Sequence, residues 1–341
     1  MVTNQYLKWL SQTASYWWHD NAVFSNIDQA IENGATGVTT NPLLVKKSLY
    51  ADPDFWRPFL QGAKGLKGAE KIEEIIRLVT AEIAKKFLPV FEASKGTQGF
   101  VCAQVDPNLQ GDAEAMFSMG KRLALWAPNV AVKVPMTAAG IEAIEELTAL
   151  GITTVGTVSF SVPQVLEVGK RQQRGLERAK KSGIKPGAVF SAIMCGRVDD
   201  YLRDVAKDCK ANIAESDIIQ AGTACIKRAY GLCKELGYES KPIPAGLRGA
   251  YHVTSLAGAD IVMSLAVNIQ DMLSKETEFS EHINESVAKS VIDNLLKIPE
   301  FVRAYEPDGM KSEEFIRYGA VQRTLSQFIE AGWSPIEEFE I

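Results

Sequence analysis

Lys133 is the residue whose setting most invites chemistry, because Val130-Ala131-Val132-Lys133-Val134-Pro135 puts an amine inside an otherwise apolar, β-branched run. Removal from water penalises the ammonium form, so a lysine in such a place keeps a usable fraction of neutral amine. A neutral amine attacks a ketone or aldehyde, and the resulting protonated Schiff base draws electrons from the adjacent carbon–carbon bond. The competing reading is a lysine that snorkels from a strand end to water or pairs with a carboxylate, and position alone leaves both open. Arg197, in Cys195-Gly196-Arg197, and Arg248, in Gly246-Leu247-Arg248-Gly249, each follow an apolar run beside glycines that allow close backbone approach. Two guanidiniums suit one phosphate, held through paired N–H groups. The alternative for each is an ion pair with an acidic helix start such as Asp199 or Asp200. Asp20 reads as a proton shuttle or as a helix cap or turn residue, and Asn41 before Pro42 has a turn reading of its own.

These residues need a scaffold, and the chain shows the rhythm of one. Short apolar or β-branched runs at 16–19, 37–40, 100–105, 130–134, 154–160, 188–194, 242–245 and 261–265 read as strands. Between them lie stretches of helical period at 28–33, 70–86, 112–126, 138–150, 162–180, 216–236 and 253–256, several opened by Asp, Ser or Thr. Strand–helix alternation repeated about eight times predicts an α/β fold of the (β/α)8 TIM-barrel type, with additional helices. An open dinucleotide-binding sheet would carry G-x-G-x-x-G after its first strand, and no strand here is followed by it. In a barrel the polar residue closing each strand faces the catalytic mouth. That collects Asp20, Thr40-Asn41, Gln104 with Asp106, Lys133, Thr157 with Ser159, Arg197 and Arg248. Past residue 274 the strand signal stops, and helical stretches at 281–296 and 313–331 flank a polar turn. The expected organisation is a catalytic barrel over 1–275 and a C-terminal helical extension over 276–341. That extension suits a lid on its own barrel or an exchanged contact in a homodimer or higher homo-oligomer.

Composition narrows the function classes. The 341 residues are 46% apolar and 23% charged, and 37 basic against 42 acidic side chains give a formal charge of −5. Without a basic surplus, nucleic acid is not an expected partner. No run approaches the roughly 18 apolar residues of a membrane span, and Met1 to Leu10 lacks the apolar core of a secretory signal. Five cysteines form no C-x-x-C pair and three scattered histidines offer no ligand spacing. A cytoplasmic enzyme with reduced thiols, no metal and no cofactor is expected. Trp17-Trp18 beside His19 read as packing rather than a sugar platform, and Cys102 and Cys195 as buried, inert side chains.

The order of Gly37-Val38-Thr39-Thr40-Asn41-Pro42, Val132-Lys133-Val134-Pro135, Gly140-Ile141-Glu142-Ala143, Gly196-Arg197-Val198-Asp199 and Leu247-Arg248 resembles the transaldolase family over roughly residues 16 to 270. The resemblance implies a class I aldolase barrel in which Lys133 forms a Schiff base with a ketose donor. It further implies that Asp20 deprotonates the C4 hydroxyl as the C3–C4 bond breaks, and that Asn41, with Thr40, binds donor hydroxyls. Arg197 and Arg248 would hold the phosphate, and Thr157 would position the water used in imine formation and hydrolysis.

The departures are informative. A glutamate usual on the third strand is replaced by Gln104, which exchanges no proton at neutral pH and can only orient a water. Val155-Gly156 stands where an asparagine touches the donor, Ala192 and Gly246 replace serines, and Met194 replaces an aromatic. Gln104, the Gly156-Thr157 pair and Ala192 resemble the fructose-6-phosphate aldolase branch, which usually has Tyr at the place of Met194. The leading expectation is transfer of a dihydroxyacetone unit from a ketose phosphate to an aldose phosphate. The second is an aldolase that releases free dihydroxyacetone, and the third a phosphosugar-binding protein without turnover.

Overall fold

In the computed structural model, which describes residues 4–341, all the expected runs form strands: β1 (Tyr16–His19), β2 (Gly37–Val38), β3 (Phe100–Gln104), β4 (Val130–Pro135), β5 (Thr154–Thr157), β6 (Val189–Ile193), β7 (Lys241–Pro244) and β8 (Val262–Leu265). They pair in parallel in the order β7-β6-β5-β4-β3-β2-β1-β8, and β7 packs beside β8 to bring the sheet round on itself. With helices on the outside, this is the (β/α)8 barrel that the alternation predicts.

Period-2 alternation divides the side chains between two cores. On β4, Val130, Val132 and Val134 face the helices, while Ala131 faces the barrel interior. The interior below the mouth is filled by Trp18, Phe100, Phe190 and Val262, then Cys102, Ala131, Val155, Ala192 and Ile243. Trp18 meets Phe190 edge to face with ring centroids 4.9 Å apart. This aromatic floor separates the C-terminal strand ends from the opposite end of the barrel.

The helices start where capping chemistry allows. Asn41 caps Pro42–Ala51, Thr137 caps Ala138–Ala149 and Ser161 caps Val162–Lys181, each accepting from a backbone N–H in the first turn. The fifth strand ends at Thr157 rather than Phe160, because Val158 adopts φ +52°. A β-branched residue in the left-handed region is strained, and the buried Gln164 amide holds the turn by accepting from Phe160 N–H at 2.9 Å. The stretch expected to be helical over 216–236 contains a break, with helix at Glu215–Ile218 and then at Ala221–Glu235.

Beyond β8, the expected helix over 281–296 is confined to Lys289–Leu295, and the stretch over 313–331 divides into a 3-10 turn (Ser312–Arg317), an α-helix (Gly319–Gln327) and a π-helical turn (Phe328–Trp333). Fully buried Phe328, Tyr318 and Phe315 anchor this region in the main core. Gly332 lies so close to Leu43 that a Cβ there would stand 2.7 Å from the Leu43 nitrogen. The last helices thereby sit against the Pro42–Ala51 and Cys195–Asp208 helices, at the mouth end of the barrel.

Candidate active site

A cavity of about 500 Å³ opens at the C-terminal ends of the strands, lined on one side by Asp20, Thr39, Asn41, Lys133, Thr157 and Ser264 and on the other by Met194, Arg197, Gly246 and Arg248. Lys133 is only 8% exposed, and its Nζ donates to the Thr40 carbonyl at 3.2 Å. No carboxylate lies within ion-pair distance of it among the described residues. It shares the inward parity of Ala131, one layer higher, which is why an apolar strand delivers one amine to the mouth.

Asp20 follows β1 directly, its N–H bound to the Leu265 carbonyl of β8 at 3.0 Å. Thr39 donates to Asp20 Oδ1 at 2.9 Å, and the Ser264 hydroxyl lies 2.6 Å from that of Thr39. Burial raises the Asp20 carboxyl above its ordinary value, while the Lys133 ammonium and the Thr39 and Ser264 hydroxyls oppose the rise. A carboxyl shifted upward beside an amine is suited to exchanging a proton.

The opposite wall carries the cations. Arg197 lies in the first turn of the Cys195–Asp208 helix, whose N-terminal end favours anions. Burial and the neighbouring Arg248 lower the Arg197 guanidinium from its ordinary value, against the pull of Asp20 and Asp200. Its Nη1 donates to Thr324 Oγ1 at 3.3 Å and its Cζ lies 5.8 Å from the Phe328 ring centroid, so the C-terminal region backs it. Arg248 does make the ion pair that was the alternative reading: Nε and Nη2 reach Asp200 Oδ2 at 2.9 and 2.6 Å, and Nη1 donates to the Gly246 carbonyl at 2.8 Å. Gly246 has φ +58°, and Gly196 packs so tightly that a Cβ there would clash with the Gly246 carbonyl oxygen. Glycine at both positions brings the two arginine-bearing segments together.

Six of the residues singled out in the sequence thus meet in one cavity: Lys133, Asp20, Thr157, Asn41, Arg197 and Arg248. Thr40 and Gln104 adjoin Lys133 but do not themselves line the cavity. Thr40 donates its hydroxyl to the Cys102 carbonyl at 2.6 Å, and Thr39, of opposite parity, faces the cavity instead. Gln104 is the cross-strand neighbour of Lys133, buried at 2% exposure, and neither atom of its amide has a hydrogen-bond partner. Asn41 lines the cavity while its side chain caps Leu44 N–H at 3.0 Å, which is the turn reading of that residue. Thr39, Ser264, Thr324 and Phe328 were missed in the sequence. Strand parity identifies Ser264, on β8 with inward-facing Val262, whereas Thr39 lies past the end of a two-residue strand and nothing local marks the last two. Burial pushes the Cys102 thiol up to about 11 and Cys195 well above its ordinary value, which leaves both inert. Among the described residues, no group of three or more His, Cys, Asp or Glu is placed to hold a metal, and no helix is long and apolar enough to cross a membrane.

Comparison with known proteins follows the geometry. A family described as Transaldolase/Fructose-6-phosphate aldolase matches residues 17–315. Transaldolase 1 of Streptomyces avermitilis is 30% identical over 270 residues, which cover 76% of this chain and 67% of that one. Transaldolase 2 of the same organism is 32% identical over 206 residues, 57% of this chain and 54% of that one. The transaldolase of Thiobacillus denitrificans is 31% identical over 175 residues, covering 49% and 48%. The chain thus spans about half to two-thirds of the length of these relatives. A match over nearly the whole barrel, on a chain whose strand ends converge on one lysine, shows that the chain belongs to the transaldolase/fructose-6-phosphate aldolase family.

Proposed function

We propose that this protein is a transaldolase, moving a dihydroxyacetone unit from a ketose phosphate to an aldose phosphate through a Schiff base on Lys133. The observation that carries the reading is the shared cavity: a buried amine and an upward-shifted carboxyl at one end, two guanidiniums at the other. In this reading Lys133 Nζ attacks the C2 carbonyl of the donor, and the carbinolamine loses water to give the iminium. Asp20 takes the C4 hydroxyl proton while the C3–C4 bonding pair moves into the iminium. An aldose phosphate departs and an enamine remains. The enamine carbon then attacks the acceptor aldehyde, Asp20 returns the proton to the new hydroxyl, and water releases the ketose. Asn41 binds donor hydroxyls, and Arg197 and Arg248 bind the phosphate. Thr157 and Gln104 orient the water, for which the unpartnered Gln104 amide is the motive: a buried amide without partners is costly, and a water would satisfy it. Thr40 contributes through its carbonyl, which holds the free amine of Lys133.

A second reading, an aldolase that releases dihydroxyacetone, is favoured by Gln104 in place of a carboxylate and by apolar Val155 and Ala192 in the cavity lining. Here water protonates and hydrolyses the enamine before an acceptor arrives. Products formed from fructose 6-phosphate with and without an aldose phosphate separate the two. A new ketose phosphate formed only with the acceptor supports transfer, and free dihydroxyacetone formed at the same rate without it overturns transfer. Occupancy of the phosphosugar without turnover or imine would leave a binding protein. Sugar phosphates are the expected partners, and the cytoplasm the expected compartment. We further propose that the region after residue 275 serves as an extension to a catalytic barrel.

A further inference from the structure

We infer that a buried Asp199–His252 pair positions the phosphate-binding arginines, with Asp199 selecting the histidine tautomer on which Arg248 is seated. The inference rests on the proposed phosphate role of Arg248.

Both side chains are fully buried, with His252 Nε2 3.0 Å from Asp199 Oδ2. Asp199 stands two residues after Arg197 on the Cys195–Asp208 helix, and its other oxygen accepts from Gly222 N–H at 2.8 Å. His252 Nδ1 lies 3.3 Å from the backbone nitrogen of Arg248. A backbone N–H only donates, so Nδ1 is the unprotonated acceptor and Nε2 carries the hydrogen, on the side of the ring that faces Asp199 Oδ2 at 3.0 Å. One relay therefore joins the helix that bears Arg197, the Ala221–Glu235 helix and the segment that bears Arg248.

A carboxylate taken wholly out of water is costly unless it is paired, and apolar residues of similar volume would fill the same space without that cost. What an apolar pair cannot do is offer Arg248 N–H an acceptor on one side and fix its orientation from the other. Arg248 begins the turn only two residues after Gly246, whose left-handed backbone leaves the segment without a strand ladder. The imidazole supplies the anchor that the missing ladder does not. Tyr251 lies against its ring with centroids 4.3 Å apart, which restricts rotation of the imidazole.

Asp199→Asn is the sharpest test, because it keeps the shape and the Gly222 acceptor yet can turn an amide N–H toward Nε2. The imidazole then moves its hydrogen to Nδ1, where it opposes Arg248 N–H. The nitrogen NMR spectrum of the three-histidine protein is expected to show His252 as the Nε2–H tautomer in the native chain and Nδ1–H in the variant. KM for fructose 6-phosphate and the calorimetric Kd for inorganic phosphate should each rise at least tenfold, with kcat within about twofold. His252→Gln, which keeps a donor for Asp199 but removes the Arg248 acceptor, should raise both constants alike and serves if Asp199→Asn does not fold. An unchanged phosphate Kd in a folded variant overturns the inference, as does a kcat loss equal to the KM change. Arg248→Ala separates the failures: if it too leaves phosphate binding unchanged, the phosphate reading itself is wrong, and if it weakens binding while the other two variants do not, only the positioning role falls.

Discussion

If Arg248 binds the substrate phosphate as proposed, Asp200 competes for it, and the size of that competition follows from its surroundings. Two N–H groups of Arg248 rest on one Asp200 oxygen, at 2.9 and 2.6 Å. Asp200 also holds Arg203, and although burial alone would raise its carboxyl, the two guanidiniums keep it below the ordinary carboxylate value. The Arg248 and Asp200 side chains are 43% and 44% exposed, so their pair falls in the surface range of about 0.2–1 kcal/mol. Asp200→Asn removes the competing charge and should therefore lower KM for a ketose phosphate by about 1.5- to 5-fold, at about 1.4 kcal/mol per factor of ten. Arg248→Ala removes a charge-assisted, two-pronged contact worth about 2–3 kcal/mol, less what the Asp200 pair already supplied. The net loss of about 1–3 kcal/mol corresponds to a KM roughly 5- to 150-fold higher. Steady-state kinetics with fructose 6-phosphate at two salt concentrations measures both, and the Asp200→Asn gain should shrink at high salt. A KM that rises tenfold in Asp200→Asn would refute the reasoning, since Asp200 would then be orienting Arg248 rather than competing for it.

Lys133→Ala is expected to abolish turnover while leaving the Kd for inorganic phosphate within about twofold of native, as calorimetry would show, because phosphate binding is assigned to the opposite wall. Asp20→Asn should melt at a higher temperature than the native protein at neutral pH. The folded carboxyl is shifted above its unfolded value, so the native fold loses stability as pH rises from the unfolded value through the folded one. The gap in melting temperature should close on acidification below both values, and a gap that widens there contradicts the burial argument. Thr324→Val, which deletes the hydroxyl that meets Arg197 at 3.3 Å, should raise KM about 2- to 10-fold for a hydrogen bond worth about 0.5–1.5 kcal/mol, with kcat unchanged. Trp18→Ala should cost about 3–5 kcal/mol in denaturant unfolding, because the aromatic floor against Phe190 has nothing to collapse into the space.

The strands were legible because alternation is local: Lys133 stands out only because Val132 and Val134 flank it, and the same parity carries it inward. Parity fails where a strand is too short to show it. β2 has two residues, and the choice between Thr39 and Thr40 depends on how the chain leaves Val38. Strand β5 looked longer than it is because Val158 has the composition of a strand residue but the backbone of a turn, held by a glutamine six residues on. The ion pair of Arg248 with Asp200 was open to view as the alternative to a free guanidinium, but the contact of Arg197 with Thr324 joins positions 127 apart. Such a contact is set by where the last helices return, and no local pattern encodes it. The motif residues from Gly37 to Arg248 were readable for the opposite reason, since their order along the chain is itself the order of the strands.

Trapping the imine tests the central claim most directly. The protein is reduced with borohydride in the presence of fructose 6-phosphate and its peptides are then mapped by mass spectrometry. A reduced donor adduct is expected on Lys133 and on no other lysine, and it should be lost in Lys133→Ala. Turnover of the same substrate with Lys133 unmodified, or an adduct confined to a different lysine, would contradict the account.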